Sequence, residues 1–130
     1  MTRVVVAWSP DEFGRSALTS GVAEARMRGL GLVVVNASRG DALVDDRFAS
    51  DDELAGVRAE LEEAGLSYDV RQSVGLDVGD QVLDVAAEVD ASLIVLGLRR
   101  RTPVGKLIMG SVAQRILLGA ACPVLAVKPA

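Results

Sequence analysis

The strongest constraint on this chain is a rhythm. Short apolar runs rich in valine alternate with longer stretches whose apolar residues recur at helical spacing. Arg3–Trp8 carries Val4, Val5 and Val6 in a row, and Leu32–Ala37 carries Val33, Val34 and Val35. Unbroken apolar runs of this length suit strands buried on both faces, as in a parallel sheet. Ser92–Leu96 is a third such run. Ser67–Val74 alternates instead, with Tyr68, Val70 and Gln72 on one side, and reads as a strand nearer an edge. Pro123–Lys128 is the last strand, with proline at its start, where a missing N–H is tolerated.

The intervening stretches carry helix signals. Phe13, Ala17, Leu18, Val22 and Ala25 form one stripe of a helix over Asp11–Arg28, and Gly29 and Gly31 end it. Ser50-Asp51-Asp52-Glu53 has the pattern of a capping box, with Leu54, Val57, Leu61 and Ala64 behind it and Gly65 as its stop. Asp77 can cap a helix whose apolar stripe is Val82, Val85, Ala86 and Val89. The last helix runs from Ser111 to Gly119. Between the second strand and the second helix, Ser38–Ala49 shows no period and reads as an exposed loop. The order is therefore β-α-β-loop-α-β-α-β-α-β. Strands joined through helices need right-handed crossovers, so the expected fold is α/β, an open five-stranded parallel sheet with helices on both faces. Residues 1–130 are used up by this pattern as a single domain.

Composition removes several functions. The chain has no histidine and one cysteine, Cys122. This excludes a Ser-His-Asp triad, histidine-ligated zinc, an internal disulfide and a cysteine metal cluster. A net charge of −4 disfavours general nucleic-acid binding. No run of about 18 apolar residues is present to span a membrane, and the opening residues, interrupted by Pro10, Asp11 and Glu12, read as neither signal peptide nor anchor. Asp41, Asp45 and Asp46 lack the regular spacing of a calcium loop and are expected to be solvated. Cys122, in apolar surroundings, is expected to be inert, and Met109 to be a core contact of the last helix.

In a sheet of this kind, ligands sit beyond the carboxyl ends of the strands, where strand order reverses. The loop after the first strand, Ser9 to Gly14, has no dinucleotide-type glycine pattern. Trp8, at that strand's end, either lines a pocket or fills the core, the commoner use of an aromatic ring. The loop after the fourth strand, Leu98–Met109, is richer. Gly97 allows a sharp turn or a close approach. Gly110-Ser111 opens a helix with free N–H groups at the positive end of its dipole, which suits phosphate. Arg99, Arg100, Arg101 and Lys106 concentrate positive charge there, either as a solvated face or as counter-charge to that phosphate. Leu107 stands where a P-loop needs serine or threonine, so the segment is not a P-loop.

These residues resemble the universal stress protein family. Its signature is a Gly-x-x-Gly-x9-Gly-Ser/Thr loop after the fourth strand, then a helix and a Cys-Pro-Val-Leu-x-Val strand. Here Gly110-Ser111-Val112 and Ala121-Cys122-Pro123-Val124-Leu125-Ala126-Val127 match its end, and Asp90 to Gly97 match its approach. The resemblance implies sheet order 3-2-1-4-5 and a cytoplasmic stress-response protein. It also implies a crevice between the first and fourth strands that binds ATP, with or without Mg2+. The implied nucleotide-binding residues are Ala7, Trp8, Ser9, Ala37, Gly97, Arg99, Arg100, Gly110, Ser111 and Val112; no metal ligand and no catalytic residue are implied. Arg100 replaces the middle glycine, and Ser9 stands where the family has a ribose-binding aspartate. Many members dimerise through the last strands. Independently, an apolar Pro123–Lys128 at a sheet edge invites pairing with a second copy.

Two functions therefore stand against each other: a regulatory module that binds an adenine nucleotide, and a nucleotide-free dimer that serves as an interaction scaffold. Catalysis is the least supported class, at most slow ATP hydrolysis by metal-activated water, since no general base can be placed beside the phosphate loop.

Overall fold

The computed structural model describes residues 3–98 and 109–129. They form strands β1 (Arg3–Ala7), β2 (Gly31–Ser38), β3 (Tyr68–Val74), β4 (Ala91–Gly97) and β5 (Val124–Val127). Between them lie helices α1 (Glu12–Arg28), α2 (Asp51–Ala64), α3 (Val78–Glu88) and α4 (Ser111–Gly119). All strand pairings are parallel, in the order β3-β2-β1-β4-β5.

The valine runs account for this arrangement. Side chains alternate across a strand, so a run apolar at every position needs a core on both sides. Val4 and Val6 with Leu32, Val34, Leu93 and Val95 pack against α1 and α2 through Ala17, Leu18, Ala25, Leu54, Val57 and Leu61. Val5 with Val33, Val35, Ile94 and Leu96 packs on the other face against Val78, Val82 and Ala86 of α3 and Ala113 and Ile116 of α4. Each fully buried valine contributes roughly 1.5–3 kcal/mol of transfer free energy, so the three central strands are the anchor of the fold. The outer strands β3 and β5 are only partly buried.

Local boundaries shift by a residue or two from those the sequence implies. Gly29 ends α1 in the left-handed conformation (φ 66°), as expected of a helix C-terminal glycine, but Gly31 belongs to β2 rather than to the helix end. β1 stops at Ala7, so Trp8 lies just beyond the strand, and β5 is shorter than Pro123–Lys128. The capping box at Ser50 is complete: Ser50 Oγ accepts from Glu53 N (3.1 Å) and Glu53 Oε1 accepts from Ser50 N (2.8 Å).

Candidate functional site

The crossover through α1 leads from β1 to β2 on one side, and the crossover through α3 leads back past β1 to β4 on the other. Strand order therefore reverses between β1 and β4, and a cleft lies at their carboxyl ends. A cavity of about 560 Å³ occupies that place, a size suited to a nucleotide-sized ligand.

Ala7, Trp8, Ser9, Ala37, Gly97, Gly110, Ser111 and Val112 all line this one cavity. Arg99 and Arg100, together with Arg101 and Lys106, lie outside the described residues. Both readings of Trp8 hold at once: it is 8% exposed within the α1–α2 core layer, and it also borders the cavity. Ser9 is buried, and its hydroxyl donates to Asp11 Oδ1 at 2.8 Å.

Two close approaches shape the cleft. A Cβ on Gly14 would lie 1.8 Å from the Ser9 carbonyl oxygen, so α1 begins folded directly onto the end of β1. A Cβ on Gly97 would lie 2.4 Å from the Phe13 carbonyl oxygen. The glycine at the end of β4 is thus required by the first turn of α1, a close approach of backbone to backbone within the protein.

Several cleft residues escaped the sequence reading. Asp11 lines the cavity while capping α1, its Oδ1 accepting from Gly14 N at 2.9 Å. Its place two residues after Ser9 was the available signal. Asp45 and Asp46, expected to be solvated, line the cavity as well, as does Arg47. Asp45 is half-buried and folds its own loop: Oδ2 accepts from Arg39 N (2.8 Å) and Oδ1 from Arg47 N (2.9 Å). Burial opposes its charge, but those two N–H groups and the nearby arginine charges outweigh burial and hold its carboxyl below the ordinary value. No pattern in Ser38–Ala49 marks this, because the loop is irregular and its fold depends on which backbone groups its carboxylates meet.

The helix starts differ. Asp11, Ser50 and Asp77 cap α1, α2 and α3 with their side chains. α4 begins at Gly110 with no side-chain cap, and both Gly110 and the exposed Ser111 border the cavity. Among the described residues, therefore, no side-chain cap meets its first N–H groups. Elsewhere, Cys122 packs partly buried against the α3–α4 layer, and burial raises its thiol pKa. Met109 packs against the same layer. Among the described residues no group of three or more cysteine, aspartate or glutamate side chains could hold a metal ion.

Comparison with known proteins gives a consistent result. The family model described as the universal stress protein family matches residues 1–128. A universal stress protein of Mycolicibacterium smegmatis is 50% identical over 126 residues, 97% of each chain. The structure of a universal stress protein from Archaeoglobus fulgidus superposes with a TM-score of 0.80 at 33% identity, covering 98% of both chains. Another from that organism, in complex with dAMP, superposes with a TM-score of 0.70 at 27% identity, again over 98% of both chains.

Proposed function

We propose that this chain, which belongs to the universal stress protein family, binds an adenine nucleotide in the cleft between β1 and β4 and acts as a regulatory module of the cytoplasm. The observation that carries this reading is the uncapped start of α4 opening onto a cavity of nucleotide size, in a protein whose other helices are side-chain capped. The dAMP complex of a relative over the same length of chain supports it.

In this reading the phosphate meets the N–H groups at Gly110, Ser111 and Val112, with the Ser111 hydroxyl as a further donor. Arg99 and Arg100 are the counter-charges, and Gly97 forms the floor. Ala7, Trp8 and Ser9 flank the sugar, and Ala37 offers backbone to the base. Asp11 takes the role the family gives to an aspartate at the position of Ser9. Among the described residues only Oδ1 of Asp11 is engaged, so Oδ2 remains to accept from a ribose hydroxyl. ATP with Mg2+ is the proposed cellular ligand. The function is binding, with occupancy biasing the loop that follows β4.

Calorimetric titration with AMP and with magnesium-ATP tests this. Binding to the unmodified protein, weakened about tenfold in Ser111→Ala by loss of a charge-assisted hydrogen bond, is the expected result. Absence of binding, or equal affinity in the variant, overturns the site.

Homodimerisation through β5 is part of the proposal. Among the described residues β5 pairs only with β4, Leu125 is 36% exposed on it, and Leu118 of α4 is 87% exposed. An open strand edge beside apolar side chains favours a second copy. Sedimentation velocity at micromolar concentration should give a dimer, and a Leu125→Lys variant a monomer.

A further inference from the structure

β2 contains one residue that its surroundings do not call for. Asn36 is fully buried in a strand whose neighbours in sequence are valine and alanine. An unpaired amide there would cost on the order of 2–7 kcal/mol, where an apolar residue would stabilise the strand. Asn36 keeps all its hydrogen bonds. Nδ2 donates to the carbonyls of Trp8 (3.2 Å) and Arg47 (2.7 Å). Oδ1 accepts from Ala49 N (3.0 Å) and from Nε2 of Gln72 (3.0 Å), its register partner on β3. Gln72 Nε2 also donates to the Ala49 carbonyl (2.9 Å).

One side chain thus spends two donors and two acceptors on three separate parts of the chain. It joins the end of β1, the return of the β2–α2 loop and the edge strand. Two of those partners, Trp8 and Arg47, border the cleft from different loops. Asp45 ties the same loop from its outer side, while Asn36 ties it to the sheet. A leucine would fill the space without any need for partners, so the amide supplies what packing cannot, a directional connection between two walls.

We infer that Asn36 is a positioning residue for the ligand cleft. Through Trp8 and Arg47 it holds the β1 end and the β2–α2 loop at the separation the ligand needs, so binding does not have to order them. The inference rests on the nucleotide reading above. Asn36 touches no ligand and acts through its partners.

The test compares Asn36→Ala and Gln72→Leu with Leu61→Ala, a truncation of a fully buried residue of α2 that does not border the cleft. AMP affinity is measured below the melting range of each variant, and exposure of Trp8, the sole tryptophan, by acrylamide quenching. Asn36→Ala should weaken AMP about tenfold and Gln72→Leu about threefold through lost preorganisation, both with raised quenching of Trp8. Leu61→Ala should lower the melting temperature and leave affinity within about twofold of the unmodified protein. If Asn36→Ala does not fold, Gln72→Leu decides. Unchanged affinity in the folded variants, or an equal loss in Leu61→Ala, overturns the inference while nucleotide binding stands. If the unmodified protein binds no AMP, the nucleotide reading falls, and quenching decides whether Asn36 holds the walls. Unchanged quenching then overturns it too.

Discussion

The two walls of the cleft satisfy their polar groups in opposite ways. On the β2–α2 side, Asn36 and Asp45 bond backbone groups of Arg39, Arg47 and Ala49 and tie them to Trp8 at the end of β1, so these groups are satisfied before any ligand arrives. On the α4 side, the helix begins at Gly110, and among the described residues no side chain caps its donors at the edge of the cleft. A binding site needs both kinds of wall. In the site proposed above, the closed one sets the shape in advance, and the open one offers donors suited to an anion.

Substitutions that exchange these properties should separate stability from binding. The largest effect belongs to the closed wall: Asn36→Ala strands the Trp8 and Arg47 carbonyls and the Ala49 N–H. It should cost about 3 kcal/mol of stability by urea unfolding. A loss below about 1 kcal/mol would mean that water replaces the amide.

Asp45 should act more weakly and only above acid pH. Its carboxyl titrates below the ordinary aspartate value of 3.8 in the folded protein. The carboxylate therefore adds stability that is fully present above that value and is lost as pH falls through its lowered folded pKa. Asp45→Asn should cost about 1 kcal/mol near neutral pH through weakened bonds to Arg39 N and Arg47 N. The gap between the two proteins should close in acid; a constant gap from pH 6 to pH 2.5 contradicts the assignment.

The smallest effect on stability belongs to the open wall, and it should carry the opposite sign. Gly110 has ordinary extended angles (φ −68°, ψ 162°), so its backbone admits aspartate without a left-handed penalty. Gly110→Asp should cap α4 and stabilise the protein by a few tenths of a kcal/mol. It should also abolish measurable AMP binding, because the new carboxylate takes the N–H groups and repels phosphate. A more stable variant that binds normally would show that the start of α4 does not receive the ligand.

How much could be read in advance follows the range of the forces involved. The runs at Val4–Val6 and Val33–Val35, the box at Ser50-Glu53 and the stop at Gly65 announce their elements because periodicity and capping are local. The same holds for Gly110-Ser111, a helix start visible in sequence. Asp11 and Asp45 were not legible as cleft residues. A carboxylate in a loop looks the same whether it meets water or backbone N–H groups, and only the folded loop decides between them.

Gly97 and Asn36 mark the boundary most clearly. In sequence, Gly97 is a glycine at a strand end with several uses; contact with the Phe13 backbone, 84 residues earlier in the chain, selects one of them. Asn36 is a polar residue following the valine run of β2, and its meaning comes from partners at positions 8, 47, 49 and 72. Local pattern determined the elements and their alternation, and with the resemblance carried by the C-terminal motif, the order of the sheet. Tertiary structure decided which loops share a cleft, which carboxylates enter it and which amide ties it together. Hydrogen bonds between distant segments require directions and distances that no spacing along the chain encodes.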